Sequence, residues 1–347
     1  MQIIRKHSNT IVHILKLVIY FFFSKIVIFS IYISSLSKNN ILYTKHFGFG
    51  DYLFFCVSIR KKINSRKKIF CYSKLQYDTA KFFFEKKYIF NSFILMPRFM
   101  SESHLGYNFL NKEKIFKPIK PKRVILNNIK VSISDFYSGT SDSIAFIKKR
   151  INNSTISNKI IEVTKHPTIC LFIKNFSKNK NNHINFQTRQ TRNLNKIERL
   201  IYFLNNKKIN VIILGTTRDH FIQLFLKKIN KRIFKNIFFF KDLSDNYSIS
   251  DQAYLALNSI GYIGSASGSM GFFGLLNKKV ILVDAVFYHV DKHWKNFIFL
   301  YKKIYNKNNK VLKKFIWKKY YNPATHKIVE TNYREIKEIL VKNFLIN

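Results

Sequence analysis

The stretch from Tyr254 to Asp284 constrains the fold of this chain most. Tyr254–Ser259 (YLALNS) closes an apolar segment of helical spacing, and Gly261–Ile263 is a short strand signal. It empties into Gly264-Ser265-Ala266-Ser267-Gly268-Ser269-Met270-Gly271. The apolar run Phe272–Leu276 then predicts a helix that closes on Asn277, ahead of a buried-strand pattern at Val280–Val283 and Asp284. Strand, glycine-serine turn, helix, strand is the order of a parallel α/β unit. A turn of glycine and serine at a helix start leaves backbone N–H groups uncovered. With the helix dipole behind them, they favour a phosphate or pyrophosphate. The competing reading is a tight crossover that binds nothing.

The same alternation extends on both sides. Ile41–Thr44 predicts a strand running into His46-Phe47-Gly48-Phe49-Gly50-Asp51, then Tyr52–Ile63 a helix, Lys68–Tyr72 a strand, Tyr77–Lys87 a helix and Phe93–Met96 a strand. After the polar patch Asn152–Lys159, read as a passage between domains, Thr168–Ile173 opens a second series. It runs through a helix at Asn193–Asn205, a strand at Asn210–Leu214, a helix at Asp219–Lys228 and a strand at Asn236–Phe240. A helix at Ser248–Asn258 follows, opened by a capping box of Ser248 with Asp251. A closing helix is predicted at Tyr333–Phe344. The expected organisation is a hydrophobic segment over 1–38, Rossmann-like domains over 39–160 and 161–325, and a C-terminal helix over 326–347.

Ile11–Leu36 is long and apolar, broken by His13, Lys16 and Lys25. From Leu17 to Leu36 it reaches the length of a bilayer span, but Lys25 near its middle costs about 3 kcal/mol against roughly −0.3 to −0.6 for each large apolar residue. Lys16 and Lys25 fall on opposite helical faces, which weakens a surface-lying helix. Membrane association is expected, with spanning and a buried helix left as alternatives.

The formal net charge is +43, an excess that suits nucleic acid, an anionic membrane face or phosphorylated substrates. Lys, Asn, Ile and Phe are enriched together, a pattern that AT-rich codons produce, and this weakens the charge as a functional clue. Acidic residues are correspondingly scarce, so each one invites a question. Cys56, Cys71 and Cys170 form no close pair and no metal-ligand spacing, which argues against a disulfide framework or a zinc site.

Arg192-Asn193-Leu194 leading into Ile201–Leu204, then Val211–Gly215, then Tyr262–Gly268 with Val280–Val283, resembles the C-terminal half of a bacterial family of surface-polysaccharide glycosyltransferases. More distantly, the series resembles the heptosyltransferase-like (family 9) enzymes of GT-B fold. Gly48-Phe49-Gly50-Asp51 before an apolar run is similar to the Gly-x-Gly-Asp turn after the first strand of the latter group. The resemblance spans most of Ile41–Asp284. It implies two Rossmann-like domains with parallel sheets facing a central cleft, an acceptor domain first and a nucleotide-sugar donor domain second. The implied activity moves a sugar to a cell-surface glycan or lipid-linked acceptor at the cytoplasmic face of the membrane. Such families usually carry an Asp before the Ser-Gly of the phosphate turn, where this chain has Ala266.

Glycosyl transfer needs donors for a departing diphosphate and, with inversion, a base for the acceptor hydroxyl. The donor candidates are Gly264, Ser265, Ser267, Gly268 and Ser269, aided by Lys174, Arg189 and Arg192 at the carboxyl edge of the predicted sheet. Asp284 ends a strand there and is a candidate for a ribose hydroxyl or a plain strand terminus. Asp51 is the candidate base, competing with a helix-capping role, and His46 is the alternative base. Asp242 and Asp245 form no DxD pair, so no metal or other cofactor is called for. Two further readings stay open. One is a degenerate GT-B scaffold, motivated by Ala266. The other is a nucleic-acid binder, motivated by the charge and by aromatic runs such as Phe82–Phe84, which core packing explains better.

Overall fold

The computed structural model describes residues 18, 19, 22, 26, 29, 40–43, 49–60, 63, 67–96, 126–128, 141–174, 190–215, 235–285, 296–308, 310 and 326–344. The chain divides into two compact units, Met1–Ser132 and Ile133–Asn347, each built on a parallel sheet of its own.

In the first unit, strand β1 (Asn40–Tyr43) leads to helix α1 (Phe49–Ile59) and β2 (Lys67–Ser73) to α2 (Lys74–Phe83). With β3 (Ile89–Met96) and β4 (Leu126–Asn128) they form a four-stranded sheet of order β3-β2-β1-β4, parallel throughout. Ile69, Phe70 and Cys71 of β2 are buried, as are Tyr52, Leu53, Phe55, Cys56 and Ile59 of α1. Strands covered by helices carry continuous apolar runs for this reason. Ser73 ends β2 and caps α2, its hydroxyl accepting from the Gln76 N–H at 3.2 Å. That cap starts the helix at Lys74, three residues ahead of the predicted Tyr77. Phe82, Phe83 and Phe84 are all buried, the first two meeting edge to face at 5.2 Å. Their rings are core, with no face left for stacking on a base.

Of the expected N-terminal hydrophobic helix, Val18, Ile19, Phe22, Ile26 and Phe29 are described, each helical, and the rest of 11–36 lies outside the described residues. Among the described residues, no helix is long and apolar enough to cross a membrane.

The second unit opens with α3 (Ser141–Asn152) and α4 (Asn158–Thr164), continues through β5 (Thr168–Phe172), α5 (Asn195–Asn206), β6 (Asn210–Ile213) and β7 (Ile237–Phe239), and reaches the short α6 (Phe240–Leu243) and then α7 (Ile249–Asn258). Next come β8 (Gly261–Gly264), the five-residue α8 (Gly271–Leu275), β9 (Lys279–Ala285), β10 (Phe297–Tyr301), the antiparallel pair β11 (Lys303–Tyr305) and β12 (Lys327–Val329), and α9 (Tyr333–Phe344). The six-stranded sheet has the order β10-β9-β8-β5-β6-β7 and is parallel throughout. Counted from β5 and read from the β7 edge, this is 3-2-1-4-5-6, the doubly wound nucleotide-binding order.

Helices α5 and α9 together cover one face. Leu200, Ile201 and Leu204 of α5 and Ile336, Leu340 and Phe344 of α9 close over Ile169, Leu171, Ile263, Ile281 and Val283 of the central strands. The stretch expected to pass between domains, Asn152–Lys159, sits inside the second unit. α3 packs on α7, and the Ser157 N–H donates to Asp251 Oδ1 at 2.9 Å. The predicted helix at Asp219–Lys228 lies outside the described residues. Cys56, Cys71 and Cys170 are buried free thiols. Burial pushes the Cys71 thiol up to about 12, opposed by its 3.1 Å hydrogen bond with the Tyr52 hydroxyl, so it stays protonated and unreactive.

Candidate functional site

The strand order of the second unit reverses between β5 and β8, whose carboxyl ends pair at Phe172 and Gly264. Ligands of doubly wound sheets gather outside the strand ends at such a switch point. Gly264 makes the close approach there: its φ is +139, and a Cβ on it would stand 2.0 Å from the Phe172 carbonyl oxygen. The Ser265 N–H donates to that same oxygen at 2.7 Å, turning the chain sharply out of β8.

Tyr262 lies buried beneath the turn. Burial pushes its phenol up, so the hydroxyl stays protonated, donates to the Ser265 carbonyl at 2.6 Å and shares a 3.2 Å hydrogen bond with the Ser267 hydroxyl. Ser267 and Ser269 share a further hydroxyl hydrogen bond at 2.5 Å. The Met270 and Gly271 N–H groups turn inward to the Ser267 and Gly268 carbonyls. The N–H groups of Ala266, Ser267, Gly268 and Ser269 meet no acceptor among the described residues. These residues are half-buried, so four consecutive N–H groups without an acceptor among the described residues lie just beyond the end of β8, where an anion could take them up. The expected helix dipole contributes little, because a 3-10 turn (Gly268–Met270) and then only the five residues of α8 follow. The local field comes from the individual amides.

Lys174 follows β5 and lies alongside the turn. Its N–H donates to the Ser265 hydroxyl at 2.9 Å, and its Nζ stands 3.4 Å from the Ala266 carbonyl. The structure therefore brings together Gly264, Ser265, Ser267, Gly268, Ser269 and Lys174, six of the candidates named from sequence. Arg192 is exposed ahead of α5. Arg189 and His46 lie outside the described residues, and Asp51 is the third residue of α1 in the first unit, inside the first turn and not at its cap.

Asp284 occupies a different setting from the predicted ribose contact. In the β9–β10 pairing Val283 faces Leu300 and Ala285 faces Tyr301, so Asp284 is skipped, with φ +56. The left-handed residue turns its carboxylate into a buried ion cluster. Its Oδ2 accepts from Lys196 Nζ and from the Thr191 hydroxyl, each at 2.8 Å, and its Oδ1 from the Thr331 N–H at 2.9 Å. Lys196 also meets Glu330 at 3.0 Å and the Thr331 carbonyl at 2.9 Å. Lys302 reaches Glu330 at 3.6 Å and donates to the Gln190 carbonyl. The Glu330 carboxylate in turn accepts the Arg192 and Asn193 N–H groups at 2.6 and 3.0 Å. Burial would push Glu330 up, but Lys302, Lys196 and the two N–H groups together hold its carboxyl below the ordinary value. Two ammonium groups and two carboxylates balance, as buried charges must. Lys196, Lys302 and Glu330 escape sequence reasoning. The one available signal is the scarcity of acids, which makes Glu330 conspicuous.

No family model matches the chain, and no curated protein matches it. Among solved structures, it is similar to a family 9 glycosyl transferase from Veillonella parvula at 8% identity, covering 89% of this chain and 98% of the other with a TM-score of 0.50. Matches also include the E. coli heptosyltransferase WaaC with ADP-2-deoxy-2-fluoro heptose, at 10% identity, 88% and 99% coverage and a TM-score of 0.42. E. coli ADP-heptose lps heptosyltransferase II matches at 11% identity, with 72% of each chain covered and a TM-score of 0.32. The match to the first of these shows the fold: this chain folds like that family 9 glycosyl transferase, as the GT-B-like resemblance implied.

Proposed function

We propose that this protein is a GT-B glycosyltransferase that moves a sugar from a nucleotide-sugar donor to a cell-surface glycan or lipid-linked acceptor at the cytoplasmic face of the membrane. The observation that carries this reading is the run of four amides, Ala266–Ser269, that meet no acceptor among the described residues at the point where the strand order reverses. Preorganised N–H donors in a half-buried turn stabilise charge where it develops, here on the diphosphate leaving group. Lys174 adds a full positive charge beside them, with Arg189 and Arg192 as further cations, so this scheme places the charge on protein groups without a metal. Asp51, in the first unit, is the proposed base for the acceptor hydroxyl, with His46 as the alternative.

A thermal-melting screen with UDP, GDP, ADP and CMP derivatives tests the donor site. A ligand that binds only the native state stabilises it by about 2.7 kcal/mol at a hundredfold excess over Kd. One nucleotide class is expected to raise the Tm, and Lys174→Ala to remove most of that gain. Asp51→Asn is expected to lower turnover with the nucleotide shift intact. No stabilisation by any nucleotide sinks the proposal. A second reading is favoured by Ala266, which stands where the related families carry an Asp: a degenerate transferase kept as a scaffold. It predicts nucleotide stabilisation with no sugar transfer to any acceptor, and glycan production indifferent to Asp51→Ala.

A further inference from the structure

We propose that Thr191 and Asp284 are positioning residues that hold Lys174 against the glycine-serine turn, an inference that rests on reading that turn as a diphosphate site. Lys174 leaves β5 on a loop, where an ordinary lysine would keep its full conformational freedom. Here its backbone is gripped on both sides. Its N–H donates to the Ser265 hydroxyl at 2.9 Å, and its carbonyl accepts from the Thr191 N–H at 2.8 Å. Thr191 is itself fully buried and is fixed through its hydroxyl, which donates to Asp284 Oδ2 at 2.8 Å.

Asp284 can reach Thr191 because the skipped position in β9 turns it out of the strand register, and Lys196 and the Thr331 N–H hold it there. The chain of contacts runs from the ion cluster through Asp284 and Thr191 to the Lys174 backbone, and from there to Ser265 and Ala266. The ion cluster is thus a fixed point from which the only lysine that meets the turn among the described residues is aimed. A pre-aimed cation loses less freedom on binding, which raises affinity without a new contact. Asp284 acts on the diphosphate through Lys174 and not by touching the donor.

Thr191→Val removes the hydroxyl and keeps the side-chain shape and the backbone, and Thr191→Ser keeps the hydroxyl. The probe is inorganic pyrophosphate, titrated calorimetrically into the full chain, alongside hydrogen exchange of the Lys174 and Ser265 amides without ligand. Thr191→Val is expected to weaken pyrophosphate binding about tenfold when Lys174 is present, the loss of roughly one well-placed hydrogen bond. In a Lys174→Ala background the same change is expected to cost less than about twofold, because coupled residues are not additive. Faster exchange at the Lys174 amide should accompany the loss, and Thr191→Ser should behave as the wild type. Equal losses in both backgrounds, or unchanged exchange and affinity in Thr191→Val, overturn the positioning role alone. A wild-type protein that binds no pyrophosphate overturns the diphosphate reading, and this role with it.

Discussion

At the scale of single residues, two backbone positions shape the carboxyl edge of the second sheet, and they do so in opposite ways. Gly264 stands at φ +139 with no room for a side chain, since the Phe172 carbonyl oxygen occupies the place of a Cβ. Because the obstacle is backbone, it cannot swing aside. Gly264→Ala is therefore expected to cost at least about 2 kcal/mol in a urea titration, through clash and strain together, and to abolish the nucleotide-dependent rise in Tm. Asp284 carries a side chain in the left-handed region, at φ +56, a strain of about 1–2 kcal/mol that short polar residues tolerate best. The cluster around its carboxylate over-determines that geometry.

At the scale of elements, two helix starts show how local signals fare against tertiary partners. The capping box predicted for α7 is only half made. The Ser248 hydroxyl accepts from the Asp251 N–H at 3.4 Å, but Asp251 is buried and its oxygens serve the Ser157 N–H and the Ser244 hydroxyl. Tying α7 to the entry of α4 outweighs closing the box. A complete box stands at α9, where the Asn332 and Glu335 side chains each accept from the other's N–H at 2.9 Å. That helix lays Ile336, Leu340 and Phe344 on the sheet core, and the Phe344 ring fills the space beside Gly261 that a Cβ would need. Arg199 over the Tyr333 ring at 4.3 Å and Lys337 over the Phe203 ring at 4.9 Å join it to α5. α9 is thus a structural layer of the second unit. Leu340→Ala is expected to destabilise that unit by about 2–5 kcal/mol, read in chemical denaturation, as for other fully buried leucines.

At the scale of the whole molecule, a chain with a net charge of +43 repels itself, and each acid protonated adds to the repulsion. Glu330 is an acid whose protonation matters in the second unit, because it faces two buried ammonium groups. Its folded-state value lies below the ordinary one. The stability it contributes is fully present above the ordinary carboxylate range and is lost as pH falls through the depressed folded value. Glu330→Gln is expected to lower stability by about 3 kcal/mol at neutral pH, since breaking a buried pair strands its partner. The gap to the wild type should close as pH falls below the carboxylate range. A gap that is constant across pH 3–7 in matched unfolding titrations would assign Glu330 a packing role only.

The alternation of apolar runs with glycine and polar breaks determined the parallel sheets without further help, because a strand covered on both faces must be apolar along its whole length. The same local logic marked the turn at Gly264–Ser269 and the lysine beside it. Tertiary structure alone decided what holds them. Lys196 and Asp284 are 88 positions apart, and Lys196 and Glu330 134. Their pairing carries no local periodicity, and in so basic a chain nothing distinguishes a lysine destined for burial from one left in water. Only the folded sheet, by removing that water, made two of the many lysines require these two carboxylates.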